Sequence, residues 1–133
     1  MSFIILLAVF FGGATGSLAR YLIWLGVEQV GVSLLLVEVV ATAIVNIAGA
    51  GLLGFVHSPA FKVSEKKKSF WGAGFAGGFT TMSGLALITA GAALGLSELG
   101  YLYWLAVIIQ FVVGFLAYWF VRSGFEKTKG SVR

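Results

Sequence analysis

The chain has no cysteine, one proline and one histidine in 133 residues, and each scarcity removes a class of chemistry. Without cysteine there is neither a disulfide framework nor a thiolate metal site. His57, with no second His, Asp or Cys beside it, cannot assemble a metal centre. Charge is scarce too: 11% of the residues are charged and 59% are apolar. Such a chain cannot bury its hydrophobic residues within itself in water, so residues 1–133 read as one all-α membrane domain with no soluble one. No catalytic dyad, triad or phosphate loop is present, which argues against an enzyme. The net charge of +4 sits almost wholly in one loop and the C-terminal tail. It suits contact with anionic lipid and does not indicate nucleic-acid binding.

What the chain does have is four apolar segments, residues 3–25, 33–56, 70–94 and 101–121. Each is long enough to cross a hydrocarbon core of ~30 Å as a helix. If all four cross, the N-terminus, the 56–69 connection and the C-terminal tail share one side. That side holds Lys62, Lys66, Lys67, Lys68, Arg122, Lys127, Lys129 and Arg133, whereas the connections around Glu28 and Glu98 carry no Lys or Arg. The positive-inside rule then predicts a multi-pass protein of the cell membrane with both termini in the cytoplasm. The first segment lacks a basic stretch before its apolar run and contains Arg20, so it is read as a retained helix and not as a signal peptide.

Gly12, Gly16 and Arg20 are spaced four apart on one helical face, which lets a neighbouring helix approach closely. Segment two carries Thr42, Asn46 and Gly49 on one stripe. Segment three is unusual: residues 72–84 hold five glycines and three hydroxyl residues, a poor continuous helix. Close packing through small residues would explain some of them. The contiguous run Gly77-Gly78-Phe79-Thr80-Thr81 points instead to a break, whose freed carbonyls would be ion ligands. Asn46 suits either a partly dehydrated ion or an interhelical bond. Arg20 must snorkel, pair (with Glu38, for instance) or line a cavity, while Glu38 alone would reach for the nearby interface. Gln110 is the main polar group inside segment four.

Gly12-Gly13-Ala14-Thr15-Gly16-Ser17-Leu18-Ala19-Arg20-Tyr21, Val45-Asn46-Ile47-Ala48-Gly49 and Gly74-Phe75-Ala76-Gly77-Gly78-Phe79-Thr80-Thr81-Met82-Ser83 resemble the small fluoride channels of the CrcB/Fluc family. The likeness covers three of the four segments in order. It implies an antiparallel dimer of four-helix subunits with a broken third helix, passing fluoride out of the cytoplasm through two narrow pores. It also implies a structural sodium ion at the dimer centre, held by the backbone carbonyls of Gly77 and Thr80. Asn46 matches the family's pore asparagine and Arg20 its segment-one arginine.

The departures are informative. Where the family motif continues with two phenylalanines, Met82 and Leu85 stand here, and neither offers the positive ring edge that can face an anion. Ile88 replaces a common glutamate, and Gln110 is the obvious substitute for a hydroxyl track on segment four. The candidate fluoride path is therefore Asn46, Thr81, Met82, Ser83, Leu85 and Gln110, with Arg20 in the vestibule. A homodimer with copies inserted both ways needs little charge bias, and eight basic residues against none predict one orientation. The expected partner is a second, homologous subunit in the inverted orientation. Alternatives are a small dimeric exporter of cationic drugs, disfavoured because segment one lacks an acidic residue, and a non-conducting structural subunit.

Overall fold

The computed structural model describes residues 2–95 and 100–130, without the side chains of Ala92 and residues 126–130. Glu98 and Arg133 lie outside the described residues, and the side chains of Lys127 and Lys129 are among those not described. Helix α1 runs Phe3–Glu28 and α2 runs Leu34–Val56. Between them the chain turns at Gly31, whose φ of 77° is a left-handed conformation that a Cβ would penalise. The third span begins at Glu65 and comes in pieces. Residues 65–79, α3 here, comprise an α-helical turn (Glu65–Ser69), a π-helical stretch (Phe70–Ala76) and a last α-turn (Gly77–Phe79). Helix α4 (Met82–Ala93) completes that span, and α5 (Gly100–Gly130) is the fourth. There is no strand among the described residues, and four helices are long and apolar enough to cross a membrane.

Side-chain partners fix how the helices run. From Gly12 to Gly16 to Arg20, α1 meets first Phe70 and Gly74, then Phe75 and Phe79, then Thr80, so α1 and α3 are parallel. Helix α2 runs against them, because Gly49 lies on Thr80 while Val56 lies near Gly72. Gln110 reaches Val39 whereas Tyr118 lies against Gly54, which makes α5 parallel to α2. Successive spans therefore alternate, and the N-terminus, the 57–64 connector and the end of α5 gather at one end of the bundle. Helix α2 sits most deeply: 33% of its most apolar window is buried, against 11% for α1 and for α5. The outer helices leave apolar faces for lipid or another subunit.

Of the two roles weighed for segment three, packing falls to its glycines and the break to Thr80. Gly74 and Gly78 pack against the backbone of Val9, Gly12 and Gly13, so the α1–α3 contact is backbone on backbone, as small residues allow. The glycines do not make the break. Every φ in residues 72–84 is negative, and Gly77–Phe79 is still helical. The chain departs from helix at Thr80, whose φ −76° and ψ 161° are extended. The helix stops there because the next amide finds a better partner than its own helix offers.

Candidate functional site

That partner is Asn46. Its Oδ1 accepts from the Thr81 N–H at 2.8 Å, and its Nδ2 donates to the Thr81 carbonyl at 3.0 Å. The amide side chain pairs with one residue's backbone as another peptide would, across 35 residues of sequence. In a continuous helix the Thr81 N–H would serve the Gly77 carbonyl, so the clamp leaves that carbonyl without its helical donor. Thr81 then starts α4: its Oγ1 accepts from the Gly84 N–H at 3.2 Å, the N-cap bond. Ser83 Oγ lies 2.9 Å from the same hydroxyl.

Arg20 completes the break from α1. Its Nη1 donates to the Thr80 carbonyl at 3.1 Å, and Ser17 donates to the Gly78 carbonyl at 3.4 Å. Arg20 therefore turns inward to satisfy backbone freed by the break, and does not snorkel. Glu38 is not its partner: Glu38 Oε1 accepts from Trp24 Nε1 at 2.8 Å. The carboxylate is held half-buried between α1 and α2 and does not reach out to the interface.

Two cavities flank this break. The first, a cleft of about 540 Å³, is lined by Arg20, Trp24, Glu38, Thr42, Thr81 and Ser83 together with Ala41, Val45 and Leu87. Most of its lining belongs to the end of the bundle that carries the 29–33 connection. The second, a mostly apolar groove of about 310 Å³, is lined by Asn46, Leu53, Thr80, Met82, Leu85, Gln110 and Tyr118 with the α5 rings Phe111 and Phe115. It extends toward the basic end. The residues expected on one fluoride path are thus divided. Thr81, Ser83 and Arg20 line the cleft, while Asn46, Met82, Leu85 and Gln110 line the groove.

The groove residues differ in how free they are. Met82 is 69% exposed, whereas Leu85 is 6% exposed and packs with Ile88 and Val107. Gln110 is 5% exposed. Its Nε2 donates to the Val39 carbonyl at 3.4 Å, which leaves Oε1 as a buried acceptor without a partner. Gly77 is open within the subunit: a Cβ there would meet no atom within 4 Å. Among the lining residues that the sequence reading did not single out are Trp24 and Tyr118. Tyr118 could have been found from spacing, since Gln110, Gly114, Tyr118 and Arg122 recur every four residues along α5.

Comparison with known proteins bears on this arrangement. The family model described as CrcB-like protein, Camphor Resistance (CrcB), matches residues 7–122. The fluoride-specific ion channel FluC of Gloeobacter violaceus is 42% identical over 82 residues, 59% of this chain and 63% of that protein. The FluC of Bacteroides fragilis strain YCH46 is 40% identical over 80 residues, again 59% of this chain and 63% of that protein. The match thus spans less than two thirds of either relative. The fluoride-specific ion channel FluC 2 of Bacillus subtilis is 34% identical over 131 residues, 92% of this chain and 93% of that protein. No solved structure matches the chain.

Proposed function

We propose, from the premise that this chain belongs to the CrcB-like protein family, that it is one subunit of a fluoride-specific channel that lets the anion leave the cytoplasm down its gradient. The observation that carries the proposal is the break at Thr80–Thr81, clamped by Asn46 and Arg20 between a cleft and a groove. Irregular backbone at membrane depth persists only where protein or a cavity covers it. Here the Thr81 amide and the Thr80 and Thr81 carbonyls are met by dedicated side chains, and cavities lie on both sides.

Chemically, the cleft offers a guanidinium and hydroxyls to a hydrated anion, with Thr81 and Ser83 at its inner end. Asn46 Nδ2 carries two hydrogens. One goes to Thr81, and the second is a neutral donor for fluoride or its last waters, strong enough to replace hydration and weak enough to release the ion. Met82, Leu85 and Gln110 complete this subunit's share of the path.

A structural sodium ion fits the donor set. The Gly77 carbonyl lacks its helical donor, and the Thr80 carbonyl retains one lone pair beside the bond from Arg20. Gly77 is open on the subunit surface, as a site shared with a second subunit requires. There sodium would supply positive charge to tie the two breaks together.

The partner is a homologous subunit of inverted orientation, and both termini of this chain are cytoplasmic. The basic residues gathered at one end support a single orientation, and Met82 and Leu85 support a partner that supplies the missing aromatics. The name FluC 2 borne by the Bacillus subtilis relative fits one member of a pair. The test is fluoride efflux from liposomes holding this chain alone or with a homologue of opposite charge bias. Efflux that needs both is expected. Robust selective efflux from this chain alone would remove the partner, and none in either preparation would remove the channel.

A further inference from the structure

At the basic end of the groove, two side chains converge on one hydroxyl. Arg122 Nη1 donates to Tyr118 Oη at 3.2 Å, and His57 Nδ1 lies 3.4 Å from the same oxygen. Tyr118 lines the groove, and with Arg122 it also lines a small adjoining cavity of about 290 Å³. The groove's other hydroxyl, Thr80, is committed to the Ala76 carbonyl at 2.9 Å. Gln110 presents a bare acceptor there. Tyr118 is therefore the groove hydroxyl whose proton is not taken by helix backbone.

Resting on the channel proposal, we infer that the Tyr118 hydroxyl is an anion-binding donor at the basic mouth of the groove, and that His57 controls whether its proton is available. A phenol has one proton, and its oxygen accepts through lone pairs. When His57 Nδ1 is bare, it takes the Tyr118 proton, so the hydroxyl turns away from the groove. When His57 is protonated, Nδ1–H donates to the phenol oxygen, as Arg122 already does. The Tyr118 proton then has no acceptor in the cluster and is free to point into the groove, where a small anion such as fluoride accepts it. His57 meets Tyr118 from α5, whose hydroxyl also accepts from Arg122. Its own connector and the first turn of α3 add Lys62, Glu65, Lys66, Lys67 and Lys68 at the same end. Histidine is the side chain suited to such a switch, because its ring nitrogen can both accept and donate.

His57 is the sole histidine, so its ring signals can be followed by NMR in the full-length chain in lipid nanodiscs. An anion that binds the protonated arrangement favours proton uptake. Replacing sodium chloride with sodium fluoride should therefore move the His57 titration to higher pH, by about 0.5 unit or roughly threefold in proton affinity. In Tyr118→Phe the ring should still titrate but without the fluoride shift. No fluoride shift in the unmodified chain, or the same shift in Tyr118→Phe, overturns the inference. A second arm measures efflux from the conducting assembly, corrected for protein-free vesicles. Flux should be several-fold higher at pH 6 than at pH 8, and His57→Gln should flatten that ratio. A ratio near one in the unmodified assembly also overturns the inference. A fluoride shift in an assembly that never conducts upholds the site and overturns the channel.

Discussion

Between α1 and α3, glycine meets backbone. Added Cβ atoms at Gly12 and Gly16 would strike the carbonyls of Phe70 and Phe75, and one at Gly78 the carbonyl of Gly13. Between α2 and α5 the contact closes in this way at one end, where Gly54 faces the Tyr118 carbonyl, but at Gly114 a Cβ would find only Ala50 at 3.8 Å. The groove opens from there toward the break. One contact excludes everything, and the other leaves room and lines it with Asn46, Gln110 and Tyr118. The closed seam presents α3 to Arg20 and Ser17, which fixes the break. The open one surrounds that break with space. Rigidity and open space are thus assigned to different helix pairs, since a close-packed contact cannot also leave a groove.

The largest effect expected from breaking this contrast is on the seam. Gly16→Val and Gly78→Val push a side chain into backbone that cannot retreat. They should cost about 3 kcal/mol or more, at or above the upper end of overpacking, and appear as loss of monodisperse protein on gel filtration. Gly77→Val, one residue away, should leave the isolated subunit folded and act only on assembly, because nothing in the subunit lies within 4 Å. Equal damage to the subunit from the Gly77 and Gly78 variants would erase the distinction.

Next is the clamp. Asn46→Ala strands the Thr81 N–H and carbonyl at membrane depth, about 1–3 kcal/mol for each unsatisfied group. It should abolish fluoride efflux. Asn46→Asp keeps an acceptor for the N–H but sets a carboxylate against the Thr81 carbonyl and the passing anion, and efflux should fall at least ~10-fold. Unchanged efflux in the Asp variant would leave Asn46 a structural role only.

Smaller differences are expected along the groove. Met82→Phe adds a ring where the side chain is exposed, so thermal stability should hold and efflux should rise. Leu85→Phe enlarges a residue packed against Ile88 and Val107 and should cost about 1–3 kcal/mol. If both are equally tolerated, Leu85 is as free as Met82 and the groove is wider than described. Least affected should be folding when Lys66, Lys67 and Lys68 are neutralised. A reporter fused after Arg133 should nonetheless pass from all-cytoplasmic to mixed orientation.

Much of this was legible from residues alone. Apolar length determined four spans, because the hydrocarbon thickness sets it. Gly12 and Gly16, four apart, announced a close helix contact, and the motif through Thr80-Thr81 announced a break in the third span. The free choice was where the break falls and what it exposes. The run Gly77-Gly78-Phe79-Thr80-Thr81 bracketed the break, yet Gly77–Phe79 stay helical, with Gly78 packed on the backbone of Gly13. The break goes to Thr80–Thr81 because Asn46 outcompetes the helix for one amide.

What the sequence by itself determined is therefore the number of spans, the charge asymmetry and the faces on which small residues lie, all properties of local composition and period. Only the tertiary structure decided that Arg20 turns to Thr80 and not to Glu38, and that Thr81 and Ser83 line a different cavity from Met82. It also decided that Leu85 is core and that Tyr118 joins the groove. Each of these depends on which helix stands opposite and in what register. That register comes from the α1–α3 seam and the Asn46–Thr81 pairing, contacts between residues tens of positions apart, which periodicity along one helix does not encode.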